Sequence, residues 1–324
     1  MAVSDAEILM FAPMLPIVEK TLAEKLTVHR LWTMDDPEGF LADKAASVKG
    51  IAYGGHTPLT ADTIDRFPNL EIIANFGVGY DAVDAVHAGS KNIVVTNTPD
   101  VLTDEVADTA MGLTLMTVRE LSAAERHLRA GKWLQGAYPL TRGTMSGRTM
   151  GILGLGRIGQ AIAHRAEAFG VKIAYHRRTR QDDISWDYYD SPEALAAACD
   201  ILMIVLPGTP QTHHLVDAKV LAALGPDGIV INIGRGSVID EEALVKALQD
   251  GTIRSAGLDV FEHEPSVPDA LIAMDHVVLL PHVGSASIHT RDGMGKLVAD
   301  NIVAWFETGR PLTPVPETPV PAGT

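Results

Sequence analysis

Gly154-Leu155-Gly156-Arg157-Ile158-Gly159 follows the apolar run Met150–Leu153. It opens a segment whose apolar residues Ile158, Ile162, Ala166 and Phe169 share one helical face. A strand that turns straight into a helix through G-x-G-x-x-G has few folds open to it. The first glycine makes the tight turn, the second lets a pyrophosphate approach the backbone, and the third lets helix and strand pack closely. The helix start then offers unpaired N–H groups to the anion. A glycine-rich turn alone is weak, but between a strand and a helix it reads as a dinucleotide site comprising Gly154, Leu155, Gly156, Arg157, Ile158 and Gly159.

The neighbouring sequence supports that frame. Val171–Tyr175, Ile201–Leu206, Gly228–Ile233, Ala256–Val260 and Val277–Leu280 read as further strands. Ile201–Leu206 has no polar face, as expected of a parallel strand covered on both sides. Ser191-Pro192 predicts a helix start, and Asp240 caps a helix that stops at Gly251. Alternating strands and helices with short connections predict a doubly wound α/β sheet. Ile8–Phe11, Val28–Trp32, Ser47–Tyr53, Leu70–Phe76 and Ile93–Thr96 repeat the pattern as a second, smaller unit. Helices are expected over Asp100–Glu120, which could carry the chain between domains, and over Thr290–Thr308. The proline-rich Pro311–Thr324 reads as a loose tail.

A length of 324 residues fits two domains. The net charge of −15 opposes nucleic acid and anionic membrane surfaces, yet local basic residues can still bind a small anion. The only cysteine, Cys199, reads as a small core residue, which excludes an intramolecular disulfide or a cysteine zinc site. Asp5 and Glu7 precede a short apolar stretch, so no signal peptide is read, and no apolar window is long enough for a membrane span. These features predict a cytoplasmic location.

Cofactor choice turns on the residues after the second strand. NAD-preferring sites place an acid about 20 residues beyond the first glycine, on the ribose hydroxyl. Here the sequence is His176-Arg177-Arg178-Thr179-Arg180, and no carboxylate follows until Asp182. Guanidinium groups suit a 2′-phosphate, so NADP(H) is expected ahead of NAD(H), with His176, Arg177 and Arg178 at the site. The bland alternative is a solvated basic turn.

Arg235, Glu264 and His282 each follow a later strand, at the edge where open α/β sheets hold ligands. Singly they read as a surface arginine, a loop carboxylate and a core histidine. Together they suit reduction of a 2-oxo acid. Arg235 grips the substrate carboxylate or its carbonyl oxygen, His282 protonates that oxygen, and Glu264 favours the imidazolium and holds its ring.

Over essentially its whole length the chain resembles the D-isomer-specific 2-hydroxyacid dehydrogenases. The resemblance is carried by Asn97-Thr98-Pro99-Asp100-Val101-Leu102-Thr103-Asp104-Glu105-Val106-Ala107-Asp108, Ile231-Asn232-Ile233-Gly234-Arg235-Gly236, Gly257-Leu258-Asp259-Val260-Phe261-Glu262 and Leu280-Pro281-His282-Val283-Gly284-Ser285. These segments are similar to the glyoxylate/hydroxypyruvate reductase subgroup, and the basic turn agrees with its NADPH-using branch. The resemblance implies a Rossmann-type NAD(P) domain over 99–290 and a smaller flavodoxin-like substrate domain from 1–98 and 291–324. It implies that Arg235, Glu264 and His282 are catalytic, and that N–H groups of Val78 and Gly79 hold the substrate carboxylate beside a Tyr53-Gly54-Gly55 loop. Leu206, Pro207, Ile233, Gly234, Asp259, Gly284 and Ser285 would face the cofactor. It also implies a homodimer with the 101–145 region at its interface, where Trp133 either reaches a partner's pocket or is interface core. The two domains would close over the substrate.

Other readings remain. Phosphoglycerate, phosphite and aryl-pyruvate dehydrogenases of the same family share much of this pattern, whereas the formate branch carries glutamine in place of Glu264. A non-enzymatic, dinucleotide-sensing corepressor-like protein shares the fold, although the tail here is short for one. Gly77-Val78-Gly79 lacks a third glycine and is not read as a second dinucleotide site. No metal is expected, because neither a helix nor a strand aims the adjacent His213 and His214 at one ion. His56 is kept as a candidate beside the substrate loop.

Overall fold

The strands lack polar faces because both sides of each sheet are covered. In the computed structural model, which describes residues 6–55 and 57–318, the chain divides into two units, Met1–Leu102 with Ser287–Thr324, and Thr103–Ala286. The divisions lie four residues from those expected at 98/99 and 290/291. At the second, the helix Ile288–Thr308 starts two residues earlier than the sequence suggests, because the Ser287 hydroxyl accepts the Thr290 N–H at 3.1 Å.

The first unit holds β1 (Glu7–Met10), β2 (Thr27–Arg30), β3 (Val48–Tyr53), β4 (Ile72–Asn75) and β5 (Val94–Thr96). All pair in parallel in the order β2-β1-β3-β4-β5, the flavodoxin-like arrangement. Strand alternation sends Leu9, Ile51, Tyr53 and Ile73 into one core layer and Ile8, Met10, Ala52 and Ala74 into the other. The helix Ile288–Thr308 covers the second layer through Val298, Ala299 and Ile302. The start of the presumed tail is tied down, since Val315 N–H donates to the Val95 carbonyl at 2.9 Å.

The second unit holds β6 (Thr149–Leu153), β7 (Lys172–His176), β8 (Asp187–Tyr189), β9 (Ile201–Ile204), β10 (Ile229–Asn232), β11 (Ser255–Leu258) and β12 (Val278–Leu279). The parallel order is β12-β11-β10-β9-β6-β7-β8, a Rossmann order extended by one strand. Chain direction through the sheet reverses between β6 and β9, so the switch point lies at the carboxyl ends of those strands.

Several elements differ from expectation. Val205 and Leu206 leave β9 to form a loop, and Leu31–Thr33 winds into a 3-10 turn after β2. The strand β8 is absent from the sequence reading because Asp-Tyr-Tyr carries no apolar alternation. As an edge strand paired only with β7, it tolerates polarity. The helix expected over Asp100–Glu120 runs Thr103–Val118, and Glu120, at φ +54°, takes the left-handed conformation that ends it. A further helix, Leu121–Arg129, was not anticipated; it buries no side chain.

Candidate active site

The dinucleotide turn sits at the switch point, and its three glycines have different surroundings. Gly154 has φ +105°, and a Cβ there would lie 2.9 Å from the Val205 carbonyl oxygen and from Leu206 Cδ2. A Cβ on Gly159 would lie 2.5 Å from the Gly154 oxygen, so helix and turn touch. A Cβ on Gly156 would meet nothing within 4 Å. Packing therefore requires the first and third glycines, while the second borders open space at the start of the helix Arg157–Glu167. That is the cradle a pyrophosphate needs, and it fits a bound dinucleotide. Leu155 is buried beneath the turn, and Arg157 and Ile158 begin the helix.

At the end of β7, His176 Nδ1 lies 2.9 Å from the Tyr189 carbonyl on β8, which fixes the ring. Arg177, Arg178 and Arg180 follow, and Arg178 and Arg180 are exposed. Leu206 and Pro207 lie in the loop after β9. Gly234 is pressed against this loop, since a Cβ there would sit 2.6 Å from the Leu206 oxygen. Ile233 lies buried beside it.

Fully buried Asn232 organises the turn at the end of β10. Its Oδ1 accepts the Gly234 N–H at 3.0 Å, and its Nδ2 donates to the Arg235 carbonyl at 2.9 Å. The Arg235 Nη1 in turn donates to the Gly234 carbonyl at 2.8 Å. A Cβ on Gly236 would lie 1.8 Å from the Phe261 carbonyl carbon, so the arginine loop packs directly on the chain after β11.

That chain carries Glu264, and the turn after β12 carries His282. His282 Nδ1 lies 2.7 Å from Glu264 Oε2, while Glu264 Oε1 accepts the Phe261 N–H at 3.0 Å. Burial by itself raises the Glu264 pKa, but the His282 hydrogen bond, the Phe261 N–H and the charges of His282 and Arg235 outweigh it and leave a net lowering. His282 is an exposed residue with φ +53°, uncommon for a non-glycine, which removes the core-histidine reading. Buried Asp259 holds this turn. Its carbonyl accepts the His282 N–H at 2.8 Å, and its carboxylate accepts the Val283 and Gly284 N–H groups at 2.7 and 2.8 Å. Burial raises the Asp259 pKa despite those two bonds. Ser285 follows on the same turn.

The smaller unit carries a separate feature at the end of β4. The Gly77 carbonyl accepts from Asn75 Nδ2 and Thr98 N–H, and the Val78 carbonyl accepts from Asn97 Nδ2 at 2.9 Å. Each trans peptide directs its N–H opposite to its C=O. The N–H groups of Val78 and Gly79 therefore point away from those anchors, and among the described residues neither donates a hydrogen bond. Two adjacent outward N–H groups suit a carboxylate. The sequence reading missed Asn75, Asn97 and Thr98 as anchors, although an asparagine closing β4 and another just after β5 were a usable signal.

Two expectations need correction. Alternation on β3 puts the Tyr53 side chain in the core, where its hydroxyl donates to the Thr57 carbonyl at 2.8 Å and burial pushes its pKa up to about 12. Its side chain lies in the core, which leaves Gly54 and the exposed Gly55 as the accessible part of that loop. His56 lies outside the described residues. His213 and His214 lie in a turn, so the argument from helix and strand spacing does not apply. Their ligating atoms and a Glu262 oxygen lie within 4.8 Å of one another. The rings stack at 3.9 Å and 23°, and His214 Nε2 pairs with Glu262 at 2.7 Å.

A dinucleotide turn at the switch point, with an Arg/Glu/His group further along the same edge of the same sheet, defines a nicotinamide-dependent oxidoreductase. Residues 111–284 match the model of the D-isomer specific 2-hydroxyacid dehydrogenase NAD binding domain. The chain is 45% identical to hydroxyphenylpyruvate reductase of Plectranthus scutellarioides, covering 95% of this chain and 98% of that one. Identity is also 45% to glyoxylate/hydroxypyruvate reductase A of Arabidopsis thaliana, with the same coverage. Among solved structures, it is similar to an NADPH-dependent glyoxylate/hydroxypyruvate reductase from Sinorhizobium meliloti in complex with NADP and malonate. That match has a TM-score of 0.92 at 52% identity over 98% of each chain. The protein belongs to the D-isomer-specific 2-hydroxyacid dehydrogenases.

Proposed function

We propose that the protein catalyses the NADPH-dependent reduction of glyoxylate to glycolate and of hydroxypyruvate to D-glycerate. The observation that carries this reading is the 2.7 Å pairing of His282 Nδ1 with Glu264, on the sheet edge that bears the dinucleotide turn. The similarity to NADPH-dependent and glyoxylate/hydroxypyruvate reductases supports the cofactor and the substrates.

Gly154, Gly156 and Gly159 would hold the pyrophosphate, and Arg177 and Arg178 the 2′-phosphate. The bound nicotinamide supplies the hydride that makes the new C–H bond. His282, with Nδ1–H donated to ionised Glu264, keeps a proton at Nε2 and gives it to the carbonyl oxygen. Arg235, its fork oriented by the Gly234 carbonyl, polarises that oxygen or binds the neighbouring carboxylate. The Val78 and Gly79 N–H groups take the substrate carboxylate.

The test is initial rates of NADPH and NADH oxidation with glyoxylate, hydroxypyruvate and hydroxyphenylpyruvate. Fast NADPH turnover on the two small acids supports the reading. Preference for hydroxyphenylpyruvate would favour the aryl-pyruvate alternative, for which the Plectranthus relative speaks. Tight NADPH binding without turnover would favour a sensing protein.

The assembly we infer is a homodimer. Trp133, Leu134 and Leu140 are 66%, 95% and 99% exposed within a stretch that also exposes Leu121 and Leu128, an apolar surface of the kind a second copy covers. Light scattering that returned a monomer would reject it. Among the described residues no helix is long and apolar enough to cross a membrane.

A further inference from the structure

Arg291 occupies the first turn of the helix Ile288–Thr308 and is half-buried, with its guanidinium carbon 5.5 Å from the centre of the Phe76 ring. Phe76 immediately precedes the Gly77-Val78-Gly79 loop whose N–H groups point outward. The sequence reading gave Arg291 no role. Acidic residues outnumber basic ones by 41 to 26, and Arg30, Arg66, Arg126, Arg129 and Arg165 each pair with a carboxylate. Among the described residues no carboxylate lies within ion-pair distance of Arg291.

Stability gives little reason for this placement. The first turn of a helix carries the positive end of its dipole, where a cation is disfavoured. The Phe76 face offsets part of that cost, and it also fixes the plane of the guanidinium while leaving its N–H donors available at the ring's edge. A flat, oriented, partly desolvated donor array without an acceptor among the described residues is suited to oxygen atoms of a ligand.

We propose that Arg291 is a specificity residue that binds an oxygen carried on C3 of the 2-oxo acid, the hydroxyl of hydroxypyruvate or a carboxylate at that end of a larger substrate. This rests on the reading that Val78 and Gly79 hold the C1 carboxylate. Glyoxylate has no C3 and makes no such contact, whereas hydroxypyruvate makes one. The residue thus ranks substrates that the remaining groups treat alike.

The experiment compares kcat/KM for glyoxylate, hydroxypyruvate and oxaloacetate at saturating NADPH, in the wild type, Arg291→Leu, Arg291→Lys and Phe76→Leu. The expected result is a fall on the order of tenfold in the hydroxypyruvate-to-glyoxylate ratio for Arg291→Leu, carried mainly by KM, with a larger fall for oxaloacetate. Arg291→Lys should recover part of the oxaloacetate rate through its charge, and Phe76→Leu should lower the ratio by a smaller factor. NADPH affinity, measured by fluorescence titration, reports that each variant is folded. An unmoved ratio, or equal loss on all three acids, overturns the role of Arg291 while leaving the proposed activity intact. A wild type that reduces none of the acids overturns the activity and this role with it. Should Arg291→Leu fail to bind NADPH, Phe76→Leu and Arg291→Lys decide by the same ratio.

Discussion

Asp259 holds His282 from behind, with its carbonyl on the histidine's own N–H at 2.8 Å and its carboxylate on the next two N–H groups. A left-handed residue at the end of a strand persists only when its surroundings over-determine it, and these three bonds do so. Asp259→Asn would set an amide NH2 against one of two N–H donors that need an acceptor. Loss of that bond in a buried site should cost about 1–3 kcal/mol. The expected outcome is a lower melting temperature together with a fall in kcat larger than the change in NADPH affinity. Wild-type melting with wild-type kcat would show that the turn does not depend on Asp259.

Glu264 should define the acid limb of activity. Its pKa is lowered in the fold by His282, so the carboxylate stays ionised into the acid range and protonates only below the ordinary value of about 4.3. For a depressed carboxylate the stabilisation is present above the unfolded value and lost as pH falls through the folded one. The rate of the wild type should therefore hold to below that ordinary value. Glu264→Gln, with no charge to lose, should lower kcat and abolish this limb. A variant profile that keeps the wild-type acid limb would assign it to another group.

The two later glycines of the fingerprint should separate in a way the motif alone does not reveal. Gly156→Ala places a methyl in open space at φ −92°, so stability should change by less than about 0.5 kcal/mol while NADPH binding weakens by an order of magnitude or more. Gly159→Ala drives a methyl to 2.5 Å from the Gly154 oxygen and should cost about 1–3 kcal/mol. Thermal melts and cofactor titration of both variants check this. Equal destabilisation would mean that Gly156 serves packing, not the ligand.

Features set by local chemistry were legible in the sequence. The β6 turn, the Ser191 and Asp240 helix starts and the apolar β9 all depend on neighbours a few residues apart. The Arg/Glu/His candidates were found because they follow strands of one sheet. Long-range features were not legible. The anchoring of Val78 by Asn97, the Asp259 grip on the turn after β12 and the seating of Arg291 on Phe76 join residues distant in sequence. Tyr53 was misplaced for a related reason, since one step of strand alternation decides between a ligand and the core. Edge strand β8 carries no hydrophobic pattern because it has little to bury.

Asn75 and Asn97 offer the sharpest test of the carboxylate site, because they act on it only through main-chain carbonyls. Asn75, nearly fully buried, donates to the Gly77 and Gly79 carbonyls at 3.2 and 3.0 Å, and Asn97 donates to Val78 at 2.9 Å. Removing Asn97 frees the peptide that carries the Gly79 N–H to rotate, whereas removing Asn75 loosens the peptide that carries the Val78 N–H, which the Thr98 N–H still holds at 2.9 Å. Asn97→Ala releases the peptide that carries the Gly79 N–H and should raise KM for glyoxylate by about tenfold, the worth of one hydrogen bond to a charged group. Asn75→Ala should also lower the melting temperature, because the Gly79 carbonyl loses its donor and the Gly77 carbonyl keeps only the Thr98 N–H. NADPH affinity should be unaffected in both, since the dinucleotide turn lies in the other unit. The inhibition constant for glycolate should rise in parallel with KM, which a general loss of folded enzyme would not produce. If KM and glycolate inhibition stay at wild-type values in both variants, the Val78 and Gly79 N–H groups are not the carboxylate site.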